Sequence, residues 1–504
     1  MDTLRRDPNA AAAEAHDLII VGGGIYGAMT ALEAARRGLR PLLLERHDYG
    51  GATSWNSHRI VHGGLRYLQR LDLQRFRTSV RERRWLLRHF PDWVEPLACL
   101  MPLYGQGARR PFVLRAALLA NHLLSRDRND GVRSDRRIES GGVMTVPETR
   151  SVFPQVREDG LRGGALWYDA VMTDSQRLLV ETLRWAAACG ARCLNYVEAT
   201  RLRVEAGRVV GIEATDGVDG ATLAFDAATV VNCAGPWSGR VAGAFDRPMK
   251  ELFRPSMAFN LLFDRELPSE VAVAVSAPEA GAHTWFLYPR NGRLYAGTAH
   301  VPCPEGAATG TPSHQQIDAA IDDMNAAIPG LDLRRDQVMR VYSGLLPATG
   351  RGSTELAAKP VIHDHGAGGG ARGLFSVSGV KYTTARDVAE KTLRLAFAEL
   401  AEIGEETERP QAREIPAIRA AMKQGSGDHL QEGARDELAA AIRRFADDEA
   451  VVHVDDLLLR RGDWGADPRT LDRSGRIVGE MLGWDEAKLA AELDRLATTG
   501  PSGS

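Results

Sequence analysis

The stretch that decides the fold runs from Asp17 to Glu45. It reads Asp17-Leu18-Ile19-Ile20-Val21, then Gly22-Gly23-Gly24-Ile25-Tyr26-Gly27, then helix-forming residues to Arg37, Gly38, and an apolar run from Leu39 to Leu44 that stops at Glu45. This order predicts a strand, a glycine turn, a helix and a parallel strand within about thirty residues. Gly22 permits the tight turn, Gly24 lets backbone approach a pyrophosphate, and Gly27 lets the helix pack closely on the strand. The helix N-terminus then presents unpaired N–H groups and a partial positive charge to the phosphates. Glu45 stands where a carboxylate can accept hydrogen bonds from both ribose hydroxyls. With both strands, the helix and the acid in order, the stretch reads as a dinucleotide site, with FAD and NAD both open.

Around this stretch, 504 residues allow two or three domains. The composition, 44% hydrophobic and 26% charged, is that of a globular protein, and a net charge of -3 gives no reason to expect nucleic acid. The basic residues are nearly all arginine. Lysine occurs only at 250, 359, 381, 391, 423 and 488, so a lysine inside a motif stands out. Five scattered cysteines form no CxxC pair and no metal-ligand pattern, which fits reduced thiols in the cytoplasm and no bound metal. Residues 1–15 are polar and alanine-rich and read as a disordered leader. No window reaches the apolar length of a membrane span.

Downstream of Glu45 comes Gly50-Gly51-Ala52-Thr53-Ser54-Trp55-Asn56-Ser57-His58-Arg59, followed by Ile60-Val61-His62-Gly63-Gly64-Leu65-Arg66-Tyr67-Leu68. Small and hydroxyl residues with paired glycines suit backbone that wraps a ligand. Gly22 to Leu68 resembles the start of the FAD-dependent glycerol-3-phosphate dehydrogenase family, in which a serine-rich turn leads into the His-Gly-Gly-Leu-Arg-Tyr-Leu string found at 62–68. The resemblance extends to about residue 497 and implies FAD as the cofactor. It implies cofactor contacts from Gly22, Gly24, Gly27, Glu45, Thr53, Ser54, Ser57, His62 and Gly63. Further contacts are implied from Val197, from Ala234, Gly235 and Trp237 in the Ala-Gly-Pro-Trp turn, and from Gly379, Lys381 and Thr383.

Other segments read more coarsely. Residues 69–137 read as helical and arginine-rich, with Arg81, Arg83, Arg84 and Arg88 around Trp85 and a basic amphipathic stretch from Pro111 to Leu124. They suit either a solvated face or peripheral contact with anionic lipid. Asp174 is placed to cap a helix from Ser175 to Cys189, with a strand ending near Val197. Arg208–Ala214 and Thr222–Phe225 read as a small meander, and Ala258–Phe263, Thr284–Tyr288 and Leu294–Thr298 as antiparallel strands. After about residue 400 a charged linker gives way to helices.

Oxidation of an alcohol or amine by a flavin needs the donor C–H aimed at the ring and a group that takes the proton. Family positions carry Arg66, Tyr67 and Lys381 to the substrate, and His62 is placed to orient the flavin or exchange a proton. The family pattern also fails in places. A Lys-Gly-Ser-His string on a pocket strand is replaced by Met257-Ala258-Phe259-Asn260, and Asn260 cannot act as a base. Leu346 replaces an arginine before Pro347, and a further pocket arginine falls near Ala358, beside Lys359. Each guanidinium lost from a phosphate site costs about 1.5–3 kcal/mol per charged hydrogen bond, which argues against glycerol 3-phosphate unless Lys359 or Lys381 compensates.

The expected architecture is α/β: a Rossmann-like FAD domain from 16–75, 160–245 and 335–400, a β-rich substrate domain from 76–159 and 246–334, and a helical domain from 401–500. The expected activity is hydride transfer to FAD from a small hydroxylated, anionic substrate, with quinone or oxygen as acceptor. A cytoplasmic location, contact with the inner face of a membrane and a homodimer are compatible with this reading. An amine or amino-acid oxidase of the same superfamily and a flavin-binding module without turnover are the alternatives.

Overall fold

The computed structural model describes residues 3–69, 71–105, 110–249, 252–277, 279, 282–303, 310–403, 409–411, 432–461 and 467–499. Leu18–Val21 is the centre of a six-stranded sheet, with Val230–Asn232 on one side and Pro41–Leu44 on the other, both parallel to it. Leu374–Ser378 and then the antiparallel Val361–Asp364 extend one edge, and Arg192–Leu194 closes the other. The central strands are apolar throughout because both faces are covered. Leu18, Ile20 and Leu43 point into a core made with helices Ile25–Ala35, Ser175–Ala188 and Ala385–Ala396. Ile19, Val21, Leu42 and Leu44 point the other way, against Leu202, Ile212 and Phe225 of a three-stranded antiparallel sheet. Asp174 caps Ser175–Ala188 as expected, its Oδ1 accepting from the N–H groups of Gln176 and Arg177 at 3.0 Å.

A second, larger sheet runs in the order Val338–Pro347, Pro255–Phe263, Arg293–Pro302, Trp285–Arg290, Ala272–Val275, Val94–Pro102, Gly164–Met172 and Ile60–Val61, with Gly142–Met144 on its flank. Gly164–Met172 and Val338–Pro347 thus pair with strands of the β-rich half, although the sequence grouped them with the dinucleotide half. Their apolar alternation does not say which sheet receives them. Two sequence expectations are corrected. The stretch 69–137 is not helical throughout: Leu73–His89 and Pro111–Leu124 are helices, but Val94–Pro102, punctuated by Pro96 and Pro102, is a strand paired with Gly164–Met172. The leader is ordered from residue 3. Leu4 is buried, Asp7 caps a short helix Pro8–Ala12, and Leu4 N–H donates to the Asp448 carbonyl at 2.7 Å.

From residue 432 the described chain is mostly helical, with Glu432–Asp448, Leu471–Leu482 and Glu486–Thr499 around a π-helical segment Asp456–Arg461. No described helix is long and apolar enough to cross a membrane.

Candidate active site

Five of the segments that the sequence assigned to the dinucleotide follow the carboxyl ends of strands in the six-stranded sheet, whereas His62 and Gly63 follow Ile60–Val61 of the larger sheet. Gly22 follows Leu18–Val21, Glu45 follows Pro41–Leu44, Val197 lies just past Arg192–Leu194, Ala234 just past Val230–Asn232, and Gly379 follows Leu374–Ser378. Ligands of open parallel sheets bind at this edge. At Gly22, φ is +109° and a Cβ would lie 2.7 Å from the Cys233 carbonyl oxygen, so the turn and the Cys233–Ala234 backbone approach as only glycine allows. A Cβ on Gly27 would lie 1.9 Å from the Gly22 carbonyl oxygen, which is the close helix packing the fingerprint requires.

Glu45 is drawn into this turn. Its Oε2 accepts the Gly23 N–H at 2.6 Å and its Oε1 the His47 N–H at 2.9 Å. Burial pushes the carboxyl up, against those two donors. Val197 N–H donates to the Glu45 carbonyl at 2.8 Å, which brings the predicted adenine-side residue beside the predicted ribose ligand. Arg46 lies over the Trp237 ring at 4.5 Å, next to Ala234 and Gly235. Ser54 Oγ accepts the Ile25 N–H at 3.0 Å at the helix N-terminus, and Thr53 Oγ1 donates to the Leu345 carbonyl at 3.1 Å.

The residues present fit FAD. Ser57 Oγ, in the serine-rich loop, and Ser378 Oγ, at the end of strand Leu374–Ser378, are buried without a protein partner on the two segments expected to meet the flavin. Burial lowers His58 to about 3, so its ring is neutral. Gly379 lies against the Tyr26 ring, whose hydroxyl donates to the Lys381 carbonyl at 2.8 Å and accepts the Lys381 N–H at 3.0 Å. Thr383 is buried in the turn that opens helix Ala385–Ala396.

Two groups of reactive side chains gather around the stretch 62–67, which joins strand Ile60–Val61 to helix Leu65–Gln69. In the first, His62 Nδ1 lies 3.0 Å from Asp169 Oδ2. Asp169 Oδ1 also accepts the Gly63 N–H at 2.6 Å and Arg83 Nη1 at 3.1 Å, and Trp167 Nε1 donates to Oδ2 at 3.2 Å. Burial alone would raise the Asp169 carboxyl, but His62, Arg83 and the Gly63 N–H hold it at about 2. In the second group, Lys381 Nζ donates to the Tyr67 hydroxyl and sits 4.3 Å over its ring, while Arg75 covers that ring at 4.9 Å. Burial, with the Arg66 charge nearby, lowers Lys381 to about 8. Among the described residues Arg66 and Lys381 are in no ion pair, while Lys359 lies within electrostatic reach of the Asp72 carboxylate.

The residues at which the sequence departs from the family pattern have defined surroundings. Asn260 is buried, its Nδ2 donating to the Asn56 carbonyl at 3.0 Å and its Oδ1 accepting from Thr298 Oγ1 at 2.8 Å. Ser256 and Asn260 pair with Leu346 and Tyr342 respectively, so Leu346 and Asn260 share a sheet face. No guanidinium is attached at 358, but Arg75 Nη1 reaches the Ala358 carbonyl at 3.3 Å. Asp169 and Arg75 were not singled out as site residues from the sequence, and Arg83 was read only as one of a cluster of helix arginines. The signal was available for Asp169, since Trp167-Tyr168-Asp169 sits in a fully apolar run, where a carboxylate needs partners. For the two arginines it was not, because they lie in a helix crowded with arginine.

Residues 17–386 match the family described as FAD dependent oxidoreductase (DAO). Glycerol-3-phosphate dehydrogenase 1 of Mycobacterium tuberculosis is 32% identical over 516 residues, covering 92% of this chain and 94% of that protein. The aerobic glycerol-3-phosphate dehydrogenase of Staphylococcus epidermidis is 31% identical over 398 residues, covering 77% of this chain and 68% of that protein. Among solved structures, the glycerol-3-phosphate dehydrogenase from Bacillus halodurans complexed with FAD superposes with a TM-score of 0.73 at 20% identity, covering 99% of this chain and 98% of that one.

Proposed function

The chain belongs to the FAD dependent oxidoreductase family, and from that premise we propose that it oxidises a small hydroxylated anion of the kind named for its glycerol-3-phosphate dehydrogenase relatives. The observation that carries this reading is the pair of side-chain groups built on the short stretch 62–67: His62 backed by Asp169, and Tyr67 held by Lys381 close to Arg66. FAD, when bound, supplies the hydride acceptor.

The chain's own residues do the rest. Arg66 and Lys381 draw the anionic end of the donor to the cleft, because neither is held in an ion pair among the described residues, and Lys359, shared with Asp72, adds less. The Tyr67 hydroxyl, fixed by Lys381 Nζ, offers that end a hydrogen bond. His62 Nδ1–H donates to Asp169, an assignment that follows from the ionised carboxylate, and Nε2 is left to accept the donor's hydroxyl proton. Asp169 then stabilises the imidazolium. Leu346 adds no charge on the sheet face, so a phosphate dianion is held less firmly than by a site with a guanidinium there. The test is anaerobic mixing with glycerol 3-phosphate, small 2-hydroxy acids and amines. Bleaching by hydroxylated anions supports this reading, and bleaching by amines alone supports an amine or amino-acid oxidase.

The reading extends to a quinone acceptor reached from the inner face of a membrane. Helix Pro111–Leu124 buries Leu114 and Leu118 on one side and exposes Phe112, Leu119 and Leu123 on the other, with Leu71 and Leu73 also exposed on the neighbouring segment. Such a cluster suits contact with the headgroup–acyl boundary of a bilayer. The arginines of Leu73–His89 contribute less to such contact than their number suggests, since Arg81 pairs with Asp387, Arg83 with Asp169 and Arg84 with Asp127.

A further inference from the structure

The loop that follows Glu45 is held from outside by the C-terminal helices. Asp48 Oδ2 accepts Arg461 Nη1 at 2.5 Å and its Oδ1 accepts Arg461 Nη2 at 2.7 Å, with both side chains fully buried. Asn195 Nδ2 completes the carboxylate's shell at 3.0 Å. Arg461 also donates to the Glu449 carbonyl, from Nε at 3.1 Å and Nη2 at 2.9 Å. The Glu449 carboxylate takes Arg177 Nη1 at 2.6 Å and Nη2 at 2.7 Å. Gln176, next to Arg177, donates from Nε2 to the Tyr49 carbonyl at 2.6 Å. Arg460, fixed by Asp455 at 2.9 Å, lies against Gly51 and over the Trp55 ring at 5.6 Å. On the inner side of the same loop, Gly50 N–H donates to the Gly23 carbonyl at 3.0 Å, beside the Gly23 N–H that Glu45 accepts.

A buried ion pair adds little net stability, because desolvation offsets the attraction, yet it penalises any arrangement that leaves one charge alone. Here the arrangement protected is the path of the loop from Glu45 to Ser57, and half of the protecting groups come from more than 400 residues away in sequence. We propose that the C-terminal helical segment is a working part of the FAD site: docking of residues 449–461 sets the cofactor-wrapping loop, and FAD binding and C-terminal docking are linked. Arg461 is the positioning residue of this linkage, acting on FAD through Asp48. Reciprocity follows, so FAD must tighten the C-terminal segment by as much as that segment tightens FAD.

The test uses the full-length protein, stripped of flavin and reloaded. Amide hydrogen exchange over 449–461 is expected to slow when FAD is added. Arg461→Gln and Asp48→Asn are each expected to weaken FAD on the order of ten- to a hundredfold at a temperature where the flavin-free variants are still folded. The double variant should weaken it no further than the worse single one, because both break the same pair. Exchange over 449–461 that FAD leaves unchanged overturns the proposal, and this measurement needs no variant to fold. A dissociation constant unchanged in both variants, with flavin-free and loaded proteins destabilised equally, overturns it too. No readout involves a donor, so a failed donor screen leaves the linkage standing, and failed linkage leaves the proposed reaction standing.

Discussion

His62 Nδ1 lies 3.0 Å from Asp169 Oδ2, and the same carboxylate binds the backbone of the very next residue, Gly63. One buried anion therefore fixes both the ring and the turn that carries it. His62→Gln is expected to lower the rate constant for flavin reduction by about 10²–10⁴-fold, the usual worth of a positioned proton acceptor, with the flavin still bound. Stopped-flow absorbance at saturating donor checks this. An unchanged rate constant assigns His62 to orientation only.

Removing the anion itself has a larger structural consequence. Asp169→Ala leaves the buried Arg83 guanidinium without its carboxylate and should cost about 3–5 kcal/mol of stability. The wild-type contribution has a defined sign with pH. The Asp169 carboxyl is lowered from 3.8 to about 2 in the folded protein, so its stabilisation is complete above about pH 4 and is lost as pH falls through about 2. Urea unfolding of both proteins across that range measures it.

Glu45→Ala is expected to weaken FAD by roughly ten- to a hundredfold, the cost of about 1.5–3 kcal/mol in charged hydrogen bonds. The structure adds a second reason for that loss, since Glu45 also organises the Gly23 and His47 N–H groups. Equilibrium flavin titration of the stripped protein gives the number. A wild-type dissociation constant would separate Glu45 from the ribose.

Lys381 predicts a pH dependence of substrate binding. With its ammonium lowered to about 8 by burial and by Arg66, the positive charge is present below pH 8 and fades above it. KM for an anionic donor should therefore rise above pH 8. In Lys381→Arg, where the charge persists, it should stay flat. KM profiles from pH 6.5 to 9.5, on the order of one and a half units either side of that value, decide it, and a flat wild-type profile removes Lys381 from anion binding.

Much of the cofactor half was legible because its physics is local. A four-residue apolar strand, a glycine turn and a terminal acid specify one another within about thirty residues, and Gly22, Glu45 and Gly379 all follow the carboxyl ends of strands in one sheet. What the sequence withheld depends on distant partners. Asp169 meets His62 across more than a hundred residues of chain, and Asp48 meets Arg461 across 413. The strand Val94–Pro102 was hidden because its apolar run, flanked by arginine-rich helices, fits either period until Gly164–Met172 pairs with it. Leu4 looked free because its partner, the Asp448 carbonyl, belongs to the far end of the chain.

The exposed side chains Phe112, Leu119 and Leu123 should matter only when a bilayer is present. Replacing the three with serine is expected to abolish co-sedimentation with anionic lipid vesicles while leaving flavin reduction by a soluble donor unchanged. Equal sedimentation of both proteins would take this helix out of any lipid contact.

The most direct test of the account is anaerobic stopped-flow reduction by a panel of donors at one pH. The account predicts that hydroxylated anions bleach the flavin and that Arg66→Gln raises their half-saturating concentration. It predicts that glycerol 3-phosphate saturates only at high concentration, because Leu346 offers no guanidinium, and that amines and amino acids leave the flavin oxidised. Rapid bleaching by an amine or amino acid, with none by any hydroxylated anion, would contradict it.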